Sequence, residues 1–102
     1  MNNLFIVGEM YFRVKYAERD MKYPLLDSFI FVGKNLSEED SQDTWYFQFA
    51  DSIAAHGTIL ESSTGERRVA CLNESELRDM LDDKQLLAEL SAARGRRKSD
   101  AP

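Results

Sequence analysis

A chain of 102 residues has room for one domain, and with 43% apolar and 30% charged residues it has the make-up of a folding sequence rather than a disordered one. Its single cysteine, Cys71, excludes an internal disulfide, and with only one histidine, His56, the Cys and His ligands of a structural zinc site are missing. The net charge of −5 hides an imbalance: residues 1–93 carry nine Lys/Arg against seventeen Asp/Glu, while Arg94, Arg96, Arg97 and Lys98 sit together near the C-terminus.

In chain order, Leu4-Phe5-Ile6-Val7 is strand-like, but four apolar residues without a basic leader are too short for a signal segment. No stretch approaches the roughly 18 apolar residues of a membrane-spanning helix. A cytoplasmic location away from membranes is the expectation, and an unpaired cysteine suits its reducing chemistry. From Met10 to Tyr16 apolar and polar positions alternate, placing Met10, Phe12, Val14 and Tyr16 opposite Tyr11, Arg13 and Lys15. With Gly8 as a bulge, residues 4–16 read as one bent strand.

After a polar connection and Tyr23-Pro24, residues 25–33 form a second strand whose Phe29-Ile30-Phe31-Val32 core predicts cover on both faces. Lys34 to Asp43 holds Glu38, Glu39, Asp40 and Asp43 with only Leu36 apolar, the composition of a solvated loop. Thr44 to Phe49 returns to alternation, with Trp45, Phe47 and Phe49 opposite Tyr46 and Gln48.

Asp51 or Ser52 is placed to cap a short helix that Gly57 ends. Residues 58–61 and 67–72 then read as a strand pair joined through Gly65. Asn73 with Glu76 three residues on has the form of a capping box, and Leu77, Met80, Leu81, Leu86, Leu87 and Leu90 carry an apolar helical stripe. Asp82-Asp83 is a point of interruption and recapping, and Gly95 is the expected stop. The pattern predicts an α+β domain over residues 1–93, an antiparallel sheet of about five strands with a short middle helix and a C-terminal helix on one face, followed by a flexible basic tail over 94–102.

Chemistry finds few footholds. His56 at a helix end needs no more explanation than a cation complementing the helix dipole, and Cys71 between Ala70 and Leu72 reads as a small buried hydrophobe. The acidic run lacks the spacing of a calcium loop, and five isolated glycines make no phosphate cradle. No cofactor or metal is expected, and catalysis would have to rest on inward carboxylates such as Glu9, Asp27 or Asp51. The acidic body repels phosphates, which argues against nucleic acid and for a partner protein with a basic surface. Glu38, Glu39, Asp40 and Asp43 with Trp45 and Tyr46 are the candidate interface of a non-enzymatic binding module of the inhibitor or immunity type. A homo-oligomer with a covered sheet face or edge, structural or ligand-binding, is the alternative, and weak anion contact through Arg94, Arg96, Arg97 and Lys98 is a minority one.

Overall fold

The computed structural model describes residues 5–61 and 67–99. Four strands, β1 (Met10–Tyr16), β2 (Pro24–Lys34), β3 (Trp45–Phe49) and β4 (Val69–Leu72), pair antiparallel in the order β1-β2-β3-β4. Helix α1 (Ala50–His56) follows β3, a 3₁₀ turn (Glu74–Asp79) follows β4, and helix α2 (Asp83–Ser99) closes the described chain. The fold class is α+β with an antiparallel sheet, as the sequence pattern predicts. No helix among the described residues is long and apolar enough to cross a membrane.

The core lies on the sheet face formed by Tyr11, Phe29, Phe31, Trp45, Phe47 and Leu72, closed by Leu77, Met80 and the half-buried Phe5. Phe47 is wholly buried and meets four rings, with Phe31 at 5.1 Å, Phe5 at 5.2 Å, Tyr11 at 5.9 Å and Phe29 at 6.4 Å between centroids. Several of these contacts are edge-to-face, the arrangement that sets a positive ring edge on a negative ring face. On the opposite face Gln48 is also fully buried, and it is satisfied: its amide nitrogen donates to Ser52 Oγ and the Gly57 carbonyl, and its oxygen accepts from Ile59 N–H. That network fastens α1 and the following turn to β3.

Several local expectations are corrected. Residues 5–9 do not extend β1: Gly8 has φ +92° and Glu9 N–H donates to the Ile6 carbonyl, so the chain breaks tightly before Met10. Residues 58–61 form a turn rather than a strand, because Ile59 N–H is taken by Gln48, and β4 pairs with β3 instead. The proposed turn at Gly65 lies outside the described residues. Neither Asp51 nor Ser52 caps α1, whose N-cap is Phe49 without a side-chain bond; Ser52 Oγ is buried and accepts from Arg68 N–H as well as from Gln48. Gly57 does end that helix, at φ +75°.

The capping box at Asn73 and Glu76 is present, yet it starts a 3₁₀ turn, and Met80 then returns to extended geometry. Leu81 uses that geometry to exchange two backbone hydrogen bonds with Phe12 on the outer side of β1. Asp82 recaps the chain through a reciprocal pair, its carboxylate accepting from Gln85 N–H while Gln85 Oε1 accepts from Asp82 N–H.

Helix α2 passes through Gly95 to Ser99, so the boundary expected at residue 94 falls inside a helix. The reason is tertiary. Arg96 reaches Glu89, the Tyr16 hydroxyl and the Met21 carbonyl, Arg97 donates to the Lys22 carbonyl, and the Tyr16 hydroxyl donates to Glu89. Hydrogen bonding from Tyr16, aided by Arg96 and opposed by burial, lowers the Glu89 pKa. These bonds offset the roughly 1 kcal/mol that a mid-helix glycine costs relative to alanine. A Cβ at Gly95 would meet nothing within 4 Å. Gly95→Ala should therefore stabilise the protein by about 1 kcal/mol in urea denaturation, whereas a left-handed terminal glycine would make the same change destabilising.

Candidate protein interface

The turn from β2 into β3 is built by side chains bonding to backbone. Asn35 takes φ +55°, its N–H donates to the Thr44 carbonyl at 2.7 Å, and its side-chain oxygen accepts from Thr44 N–H at 2.8 Å. A left-handed asparagine that bonds locally is the usual device for such a reversal. Ser37 and Asp40 form a second, inner turn: Asp40 N–H donates to the Ser37 carbonyl and Ser37 N–H to Asp40 Oδ2. Leu36 lies over Gly33, where any Cβ would stand 2.9 Å from its methyl.

Two of the loop's predicted residues, Asp40 and Asp43, are tied to the sheet and its edge. The Tyr46 hydroxyl donates to Asp40 Oδ2 at 2.6 Å, and that bond pushes the phenol pKa up to about 12. Asp43 accepts from Asn35 Nδ2 at 3.0 Å and pairs with Lys34 at 3.4 Å, which together lower its pKa. Lys34 in turn sits over the Trp45 ring at 4.6 Å. The carboxylates of Glu38 and Glu39 make no bond among the described residues and face solvent.

The structure therefore separates the six predicted interface residues into two sets. Glu38 and Glu39 are presented outward, with Asp40 and Asp43 holding the loop in shape. Trp45 is a core residue at 9% exposure, and Tyr46 is half-buried with its hydroxyl engaged, so neither ring offers the free face of an interface anchor. The basic cluster also divides. Arg96 and Arg97 turn inward onto the β1–β2 hairpin, stacking over Tyr16 and Tyr23, while Arg94 and Lys98, one helical turn apart, are exposed.

Other chemistry-bearing residues are placed as follows. Cys71 is exposed rather than buried, because it points away from the core face; desolvation and the Asp40 charge raise its pKa and favour the thiol. His56 is exposed on α1 and lines a hollow of about 230 Å³ with Asp51, Ser52 and Arg68. No hydrogen bond joins it to Ser52, and Asp51 bonds Arg68 at 2.6 Å. Asp27 is bonded by Arg13 and Lys15, and although burial opposes it, these cations lower its pKa. Glu9 borders a wider hollow with Asp82 and Asp83. Among the described residues no three His, Cys, Asp or Glu side chains are grouped to hold a metal ion.

Comparison with protein families, with curated proteins and with solved structures finds no match for this chain.

The Tyr46–Asp40 bond gives the loop a titratable reporter. Because the folded phenol is raised, its contribution to stability is complete below the ordinary tyrosine pKa of about 10 and is lost as pH rises through the folded value. Spectrophotometric titration should show one tyrosine ionising near pH 12. Asp40→Asn should bring that ionisation back toward about 10, and an unchanged titration would show that the bond is not formed in solution.

Proposed function

We propose that this chain is a non-enzymatic protein-binding module whose acidic loop, residues 35–44, docks on a basic surface of a partner protein. One observation carries the reading: the loop is bonded to itself and to β3 through Asn35, Ser37, Asp40 and Asp43, leaving the Glu38 and Glu39 carboxylates at its tip without a partner among the described residues. A loop already held in its binding shape loses little conformational entropy on association, which is where flexible acidic segments lose affinity. Two unpaired carboxylates also give up no internal ion pair when they meet a cation.

The charge of the whole chain works in the same direction. With −5 overall and most of its acids in the folded body, the protein is drawn toward positive surfaces at long range, and such steering raises association rates while screening out like-charged competitors. Occupation of a basic enzyme surface by the loop is inhibition of the immunity type, and we place this action in the cytoplasm, where an exposed free thiol such as Cys71 persists.

The double variant Glu38→Lys/Glu39→Lys should lower the association rate with a captured partner by about an order of magnitude at low salt, and less at high salt. Asp82→Lys/Asp83→Lys, the same charge change outside the loop, should have the smaller effect. Equal rates for wild type and the loop variant in surface-plasmon measurements would remove the loop from the interface.

A further inference from the structure

The turn that joins β1 to β2 uses its acids internally. The Glu18 carboxylate accepts from the N–H groups of Lys22 and Tyr23, the Glu18 carbonyl accepts from Met21 N–H, and Asp20 pairs with Lys22 at 3.6 Å. The last turn of α2 lies against this turn, because Arg96 donates to the Met21 carbonyl and Arg97 to the Lys22 carbonyl. Both arginines are thereby engaged within the molecule. What remains outward is Arg19 on the turn and Arg94 and Lys98 on the helix, exposed cations without a partner among the described residues.

Apolar side chains accompany them. Met21 is 44%, Tyr23 64% and Leu25 55% exposed, all within the turn or the start of β2. Apolar surface beside unpaired positive charge marks a docking surface whose complement is acidic and partly apolar. That combination is found at the other end of the molecule, in the loop over residues 35–44, where the Glu38 and Glu39 carboxylates lack a partner among the described residues and Leu36 is 42% exposed. β2 runs between the two, from Pro24 after the turn to Lys34 before the loop. Its length separates them by roughly 33 Å at about 3.3 Å per residue. Each is bonded to its own end of the sheet, so the loop does not reach the basic end of its own chain.

We propose that the basic end takes the acidic loop of a second copy, with Glu38 and Glu39 of one chain meeting Arg19, Arg94 and Lys98 of the other. Charge selects this occupant. Residues 17–23 and 94–99 together carry six Lys/Arg against two Asp/Glu, whereas residues 35–44 carry none against four. Two copies at a net charge of −5 repel each other on average, so electrostatics favours the orientation that joins unlike ends. Both surfaces are held in shape by their own bonds, which limits the entropy lost on contact. Joining unlike ends is heterologous unless two copies lie antiparallel and make the contact twice. In either arrangement, one end of each copy is the receptor and the other the ligand. The inference rests on the loop reading above and names the basic surface that the loop would meet.

Sedimentation equilibrium of the full chain at low salt should give a mass above the 11.7 kDa of one chain, rising with concentration and falling back as salt is added. Glu38→Lys/Glu39→Lys and Arg94→Glu/Lys98→Glu should each sediment as monomers with unchanged circular dichroism. An equal mixture of the two should form a one-to-one pair, because one variant keeps the basic end and the other keeps the loop. Lys84→Glu, which reverses an exposed cation at the start of the same helix, should associate nearly as wild type does. Amide chemical shifts that move as wild-type concentration rises should fall on residues 19–25, 36–39 and 94–98, a readout that needs no variant. A wild-type monomer at every concentration, self-association that ignores salt or survives Arg94→Glu/Lys98→Glu, or a monomer retained by phosphatidylserine vesicles would each overturn the proposal. A monomeric wild type whose capture by a partner is still slowed by Glu38→Lys/Glu39→Lys would sink this inference and leave the loop reading standing. Self-association lost in Arg94→Glu/Lys98→Glu but kept in Glu38→Lys/Glu39→Lys would remove the loop from the contact and overturn the proposal as well.

Discussion

The burial of Phe47 is the contact on which the architecture depends. Four aromatic rings from the N-terminal segment, β1 and β2 converge on it, and it pairs across to Ala70 on β4, so one side chain ties every strand to the same core. A ring of this size removed from water contributes on the order of 2–3 kcal/mol by area alone, before the ring–ring geometry is counted. The reach of that cluster also sets where the core stops. It extends along β2 through Phe29 and Phe31, and the half of the strand before Phe29 lies beyond it. The exposed Leu25 and Leu26 are consequences of a core that is centred on one end of its longest strand.

Polar contacts do the work of fastening elements that the small core does not reach. Gln48 holds α1 and the turn after it, Leu81 supplies a short backbone ladder to β1, and Arg96 with Arg97 fixes the end of α2 to the hairpin. Each replaces apolar burial with hydrogen bonds that are satisfied on both sides, which is the condition under which buried polar groups do not destabilise a fold. The acidic loop is the same strategy at the surface: Asn35 and Asp40 substitute for a core and leave Glu38 and Glu39 free.

Much of this was legible in the sequence where periodicity is local. Alternation separated the faces of β3 correctly, and composition alone marked residues 34–43 as a solvated loop. Asn73 and Glu76 announced a helical start, but the choice between an α-helix and a 3₁₀ turn depends on Met80 and Leu81 being pulled toward β1. Residues 58–61 looked like a strand because Ile59 and Leu60 are β-formers, and only the three-dimensional position of Gln48 explains why they turn. Trp45 and Cys71 exchanged roles for a related reason: alternation sorts the residues of each strand into two faces but not which face is covered, and only the β3–β4 register, Trp45 against Leu72 and Tyr46 against Cys71, sets Cys71 on the outer one. Gly95 was misleading because the bonds that carry the helix past it come from residues 16–22, some 75 positions away.

The acidic loop's readiness to bind is the central functional claim, and it rests on order in the free protein. Backbone ¹⁵N relaxation across residues 35–44 measures that order directly. Order parameters near about 0.85, the level of rigid backbone, are expected at Asn35, Ser37, Asp40 and Thr44. Values below about 0.6 at those positions would mean that the loop takes its shape only on contact, and would contradict the account.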